Sequence, residues 1–205
     1  MSARSIRLLL ADDQALVRGA LSALLGLEPD IEVVAEVGSG EEAVAAVRAY
    51  HPDVALLDVE MPGMGGITAT AEVRRASPGT RVLIVTTFGR PGYLRRALQA
   101  GASGFVVKDT PAAQLADAVR RVHAGLRVVD PALATDSLVA GESPLTARET
   151  DVLRAARDGS SVAAIARKLF LSEGTVRNHL SAAIGKTGAS NRTEAVIVAD
   201  GNGWL

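Results

Sequence analysis

The 205-residue chain has no cysteine. This excludes a disulfide framework and any thiolate-held metal, and it suits a reducing compartment. Aromatics are almost as scarce: one tryptophan, two tyrosines and three phenylalanines. Any core must therefore be aliphatic, and with 48% apolar residues there is enough material for one large domain or two small ones. No apolar run approaches the roughly 18 residues of a membrane span. The opening "MSARSIRLLLADD" meets acids too early for a signal peptide, so a cytoplasmic location is expected. Neither sign of charge dominates, with 22 Lys/Arg against 23 Asp/Glu, although residues 144–205 are mildly basic. That bias permits nucleic-acid binding without demanding it.

Five short aliphatic runs are present: "IRLLLA" (6–11), "EVVAEV" (32–37), "VALLDV" (54–59), "RVLIVTT" (81–87) and "GFVVK" (104–108). They lack strict alternation, as strands buried on both faces of a parallel sheet do. Helix-like stretches separate them. Val17, Leu21, Leu24 and Leu25 fall on one helical face, as do Leu115, Val119 and Val122. The pattern predicts a doubly wound α/β domain, a five-stranded parallel sheet over residues 1–125. Residues 126–143, with Pro131, Gly141 and three acids, read as a linker with room for one helical turn. Residues 144–205 are wholly helical in pattern and predict a small four-helix bundle. Thr146 and Glu149 have capping-box spacing, and Ser172 is an N-cap candidate.

In an open parallel sheet, ligands bind beyond the carboxyl ends of the strands. The first run ends in Asp12-Asp13, the third in Asp58, the fourth in Thr86-Thr87 and the fifth in Lys108. Each has a plain reading by itself: caps and turns for the acids, a strand residue for Thr86, a solvated cation for Lys108. Together they bring three carboxylates, a hydroxyl and an ammonium to one edge. Repelling carboxylates call for a hard divalent cation, and Mg²⁺ accepts oxygen ligands of this kind. A carboxylate beside that ion is a nucleophile toward phosphorus, with Lys108 on the phosphate oxygens and Thr86 bonding the product.

Asp12-Asp13, "LLDVEMPGMGG", "VLIVTT" and "GFVVK" resemble the receiver domain of bacterial two-component response regulators, over residues 5 to about 125. The resemblance implies a flavodoxin-like fold with Asp58 as phosphoacceptor. It implies Mg²⁺ held by Asp12, Asp13, Asp58 and the backbone carbonyl of Glu60, Asp13 more directly than Asp12. It also implies Thr86 as switch hydroxyl, Lys108 as phosphate-binding lysine, and Phe105 as an aromatic that shifts with phosphorylation. Many receivers follow this lysine with proline. Here Asp109 follows, so no cis peptide is expected there.

A competing motif is Gly38-Ser39-Gly40-Glu41-Glu42-Ala43, which fits the G-x-G-x-x-G/A dinucleotide fingerprint. Glu41 and Glu42 would stand where pyrophosphate must bind and would repel it. Both acids serve better as partners of a helix dipole.

In the C-terminal part, "SVAAIARKLFLSEGTVRNHLSAAIGKT" reads as helix, turn, helix. Val176, Leu180 and Ile184 should face the bundle. Gly174, Arg177, Asn178, Ser181 and Gly185 form a narrow polar face suited to a major groove, where Arg reads guanine and Asn reads adenine. Lys168, Thr175 and Lys186 are placed for phosphates. No aromatic on this face offers a stacking platform for single strands or RNA. Gly185 either admits close approach of DNA backbone or lets the helix fray toward Gly188. His51, His123 and His179 have no visible metal partners.

"LTARETDVL", "VAAIARKLFLSEGTVRNHL" and "KTGASNRTEAV" resemble the LuxR-type helix-turn-helix, and the two domains in this order are similar to the NarL/FixJ family. "TTFGRPGY" and "GNGWL" are further similar to a branch controlling a membrane-lipid desaturase. The resemblance implies a sensor histidine kinase as donor, double-stranded DNA with inverted half-sites as target, and a homodimer on phosphorylation. The dimer would form through either the first and fifth helices or the fourth–fifth face, with residues 195–199 as a contact between DNA-bound domains. A turnover enzyme is not expected. The rival readings are an aspartyl-phosphate hydrolase using Glu60 as acid-base, and a DNA-binding regulator indifferent to phosphate.

Overall fold

The computed structural model describes residues 5–87, 91–131, 133–135 and 143–205. The chain divides into two compact units, the second made mainly of residues 135–205.

The first unit is a parallel sheet in the order β2-β1-β3-β4-β5-β6. Its strands are β1 (Ile6–Ala11), β2 (Ile31–Val37), β3 (Val54–Asp58), β4 (Arg81–Thr86), β5 (Gly104–Val107) and β6 (Val128–Val129). Helices α1 (Ala15–Leu25), α2 (Gly40–Tyr50), α3 (Gly66–Ala76), α4 (Pro91–Gln99) and α5 (Ala112–His123) alternate with the first five strands. The central strand β3 is buried at every position, which is why its run is continuously apolar up to Asp58. Successive side chains of a strand point to opposite faces. Leu8, Leu10, Leu56, Leu83 and Val85 pack with Leu115, Val119 and Val122 of α5 in one core. Leu9, Leu57, Ile84 and Phe105 alternate with that set and are wholly buried too.

Two expectations are corrected. The sheet has six strands, because Val128 and Val129, placed in the linker by sequence, pair in parallel with Gly104 and Phe105. And Leu24 of α1 is 46% exposed, off the core face that Leu25 occupies. Of the expected linker, residues 132 and 136–142 lie outside the described residues, and residues 131 and 133–135 are helical.

The second unit contains α6 (Ala147–Ala156), α7 (Val162–Leu169), α8 (Glu173–Thr187) and α9 (Arg192–Gly201). The capping box is complete: Thr146 Oγ1 accepts from the Glu149 backbone N–H, and the Glu149 carboxylate accepts from the Thr146 N–H. Ser172 caps α8 by accepting from the Thr175 N–H. Val176, Leu180 and Ala183 are buried, Ile184 partly so. α8 runs unbroken past Gly185 and ends at Gly188, whose φ of +66° closes the helix. Ala195 and Ala199, expected at an interdomain contact, are buried within their own bundle, and Ile197 is the outward apolar residue of α9.

Candidate functional site

Parallel pairing sets the strand ends side by side. Asp58 lies opposite Val85 in the register, so Thr86 falls one residue further along the neighbouring strand. Lys108 follows β5, its N–H donating to the Thr86 carbonyl at 2.7 Å. At this edge the Lys108 ammonium lies 2.7 Å from Asp12 Oδ2 and 3.1 Å from Asp58 Oδ2, and all three side chains are under a tenth exposed. Asp12, Asp13 and Asp58 each offer a carboxylate oxygen within 4.8 Å of the others.

Asp12 is fixed at several points. Its N–H donates to the Val37 carbonyl, its Oδ1 accepts from the Gln14 N–H at 2.9 Å, and its main-chain carbonyl accepts from Arg18. Asp13 is exposed, which leaves it the adaptable member. Burial pushes the Asp58 carboxyl above its ordinary range; Lys108 opposes this and the neighbouring Asp12 charge adds to it. For Lys108, burial acts to lower the ammonium, but the Asp12 and Asp58 carboxylates outweigh it and the net shift is upward. Three carboxylates against one ammonium leave a net charge of about −2 at this edge once all are ionised, which a divalent cation balances. An all-oxygen donor set with one exposed carboxylate fits Mg²⁺.

The loop after Asp58 is held by close backbone approaches. A Cβ on Gly66 would lie 1.8 Å from the Asp58 carbonyl oxygen, and one on Gly40 would lie 2.1 Å from the Met64 carbonyl oxygen. This accounts for the fingerprint-like "GSGEEA". Ser39 caps α2, the Glu42 carboxylate accepts from the Gly38 N–H, and Gly40 lets α2 press against the loop that follows Asp58. Thr86 and Phe105 are buried and Glu60 is exposed.

Sequence reasoning missed Arg18, Gly40 and Gly66. Arg18 left a signal, as the one charged residue of α1. The glycines left none, because their partners belong to distant loops.

In the second unit, α8 exposes Gly174, Arg177, Asn178, Ser181 and Gly185 on one side, and Thr175 is half-buried. Arg177 pairs with Glu173 one turn away at 2.7 Å. Lys168 is exposed at the end of α7. Lys186 lies 2.8 and 3.0 Å from the two oxygens of buried Glu149, so its ammonium is engaged by an ion pair at the edge of the bundle. No helix among the described residues is long and apolar enough to cross a membrane.

A buried acid–lysine edge on a parallel sheet, joined to a capped helix-turn-helix, defines a signal-receiving DNA-binding protein. Residues 8–120 match the response regulator receiver domain, and residues 143–199 match the bacterial regulatory proteins of the luxR family. The chain is 44% identical over 200 residues to the uncharacterized transcriptional regulatory protein YvfU of Bacillus subtilis, covering 98% of this chain and 100% of that one. It is 42% identical to the transcriptional regulatory protein DesR of the same organism, covering 98% and 99%. The crystal structure of the response regulator ChrA, of a heme-sensing two-component system, superimposes with a TM-score of 0.60 at 37% identity, covering 97% and 98%. The chain belongs to the two-component transcriptional response regulators that join a receiver domain to a LuxR-type DNA-binding domain.

Proposed function

We propose that Asp58 accepts a phosphoryl group from a sensor histidine kinase and that this controls dimerisation and promoter binding. The observation that carries the reading is the Lys108 ammonium bridging Asp12 and Asp58 in a buried acidic cluster. An Asp58 oxygen forms the new bond to phosphorus as the phosphorus–nitrogen bond to the donor histidine breaks and the imidazole keeps the electron pair. Lys108 then exchanges its contact with Asp58 for the phosphoryl oxygens, and Thr86 donates to one of them. Asp12, Asp13, Asp58 and the Glu60 carbonyl would hold Mg²⁺, which supplies charge neutralisation when bound. Phe105, fully buried beside Ile84 and Val129 in the register, would follow Thr86.

The receiver would span 1–125, with Val128 and Val129 completing its sheet, and the DNA-binding domain 144–205. Of the two dimer surfaces considered, α1 has the better support. Leu16 is 87% exposed and with Gly19, Ala20, Ala23 and Leu24 forms an apolar stripe at helical spacing, and Leu27 in the turn after α1 is 80% exposed. A twofold dimer would set two α8 helices about one DNA turn apart on inverted half-sites. Arg177, Asn178 and Ser181 would read bases. Lys168 and Thr175 would hold phosphates, and Lys186 would join them only by leaving Glu149.

The test is operator affinity and oligomeric state of the wild type and of Asp58→Ala, each with and without a small phosphoryl donor. The proposal expects tighter binding and a dimer in the phosphorylated wild type alone. Equal affinity and oligomeric state in all four samples would defeat it. Genome-wide mapping of the bound sites names the operator; similarity at "TTFGRPGY", whose residues 88–90 lie outside the described residues, makes a lipid-desaturase promoter one site to look for.

A further inference from the structure

Every polar group of Asp12 has a partner. Its N–H donates to the Val37 carbonyl, its Oδ1 accepts from the Gln14 N–H, its Oδ2 lies 2.7 Å from the Lys108 ammonium, and its main-chain carbonyl accepts from Arg18. This last bond comes from a side chain; among the described residues no main-chain N–H donates to that carbonyl. Arg18 stands one turn into α1 and is half-buried. Its guanidinium also lies just past the end of β2, where a Cβ on Gly38 would be 3.7 Å from Nη1.

Asp13 is held differently. The residue is exposed, and among the described residues no hydrogen bond or ion pair fixes its carboxylate. One of its oxygens nevertheless lies within 4.8 Å of oxygens of Asp12 and Asp58. Its backbone is what aims it. The Asp12 carbonyl belongs to the peptide plane that ends at the Asp13 Cα, so a donor on that oxygen fixes the plane and the direction in which Asp13 leaves the chain. A charged donor makes such a bond about twice as strong as a neutral one. The charge of the guanidinium acts the other way, since a cation at this edge opposes the arrival of another. Position and charge therefore predict opposite effects on metal affinity. Arg18 is part-exposed, where water and salt weaken its field, whereas Mg²⁺ tolerates little departure from octahedral geometry, so position should prevail.

We propose that Arg18 is a positioning residue that aims Asp13 at the divalent cation through the Asp12 carbonyl. This rests on the reading of the acidic edge as a Mg²⁺ site, so Asp13→Asn is measured alongside. Full-length wild type, Arg18→Met, Arg18→Lys and Asp13→Asn would be titrated with Mg²⁺ by calorimetry at fixed ionic strength, then labelled with acetyl phosphate over a range of Mg²⁺ concentrations. Arg18→Met should raise the Mg²⁺ Kd about fivefold or more. Arg18→Lys, which keeps the charge and one donor, should fall between it and the wild type. The Mg²⁺ concentration for half-maximal labelling of Asp58 should rise by the same factor, while the rate at saturating Mg²⁺ stays within about twofold of wild type. Added to Asp13→Asn, Arg18→Met should change little further, because no carboxylate is left to aim. An unchanged or tighter Kd in whichever Arg18 variants fold would overturn the proposal, as would a labelling defect that saturating Mg²⁺ does not restore. A wild type that binds no Mg²⁺, or an Asp13→Asn that binds it equally well, defeats the reading of the metal site itself and takes the assignment of Arg18 with it.

Discussion

Removing the Glu149 carboxylate should loosen the C-terminal bundle by a definite amount. The residue is 5% exposed and its side chain has two duties. It accepts from the Thr146 N–H at 2.7 Å, closing the capping box, and it meets Lys186 of α8 at 2.8 and 3.0 Å. Burial works to raise its carboxyl; Lys186 and the Thr146 bonds outweigh that and hold it below the ordinary 4.5. Glu149→Gln keeps the size and one acceptor but loses the charge pairing. A charge-assisted bond is worth about 1.5–3 kcal/mol, and with Lys186 37% exposed about 1–2 kcal/mol is expected here. Glu149→Ala also loses half the capping box, for a total of about 2–3 kcal/mol. At about 4–8 °C per kcal/mol for a small domain, Glu149→Gln lowers the midpoint by about 4–16 °C and Glu149→Ala by about 8–24 °C. Scanning calorimetry of the full chain reads both. The folded carboxyl titrates below its unfolded value, so the contribution is complete above pH 4.5 and is lost on acidification through the folded value. Lys186→Met combined with Glu149→Gln should cost less than the two separate losses summed. Both Glu149 variants melting with the wild type at pH 7, or strict additivity, would refute the reasoning.

Asp58→Asn should stabilise the receiver at pH 7. The raised carboxyl shows that the folded state resists its ionised form, a cost present above the folded value and absent in the amide. Melting with and without Mg²⁺ checks this, the ion raising the wild-type midpoint more than the variant's. Gly66→Ala should cost about 1–3 kcal/mol and slow phosphorylation, because its Cβ meets the Asp58 carbonyl oxygen and the loop must shift; urea unfolding and labelling with a small donor read the two effects. Gly185→Ala should stabilise α8 by up to about 1 kcal/mol, since its Cβ meets nothing within 4 Å, and should lower operator affinity if DNA backbone approaches that face.

The strands were legible because burial on both faces leaves a continuous aliphatic signature, and β1 to β5 lie within a residue or two of the runs that marked them. β6 was not, since two residues beside Pro131 carry no pattern of their own and pair only because β5 offers an open edge. The convergence of Asp12, Asp13, Asp58 and Lys108 followed from strand order, because parallel strands deliver their carboxyl ends to one side. What stayed hidden was contact across sequence distance. Lys186 read as a phosphate ligand because Glu149 lies 37 residues away. Gly40 read as a turn residue alone, because nothing in the sequence puts Met64 beside it. The helix-turn-helix pattern did not mark where the turn begins: the chain turns at Phe170 and leaves its ring in solvent.

The most direct measurement is the intact mass of the protein after incubation with Mg²⁺ and a small phosphoryl donor, followed by mapping of the modified residue. One phosphoryl group per chain, on Asp58 and abolished by chelator or by Asp58→Ala, is the result expected. An unmodified chain, or a label that survives in Asp58→Ala, contradicts the account.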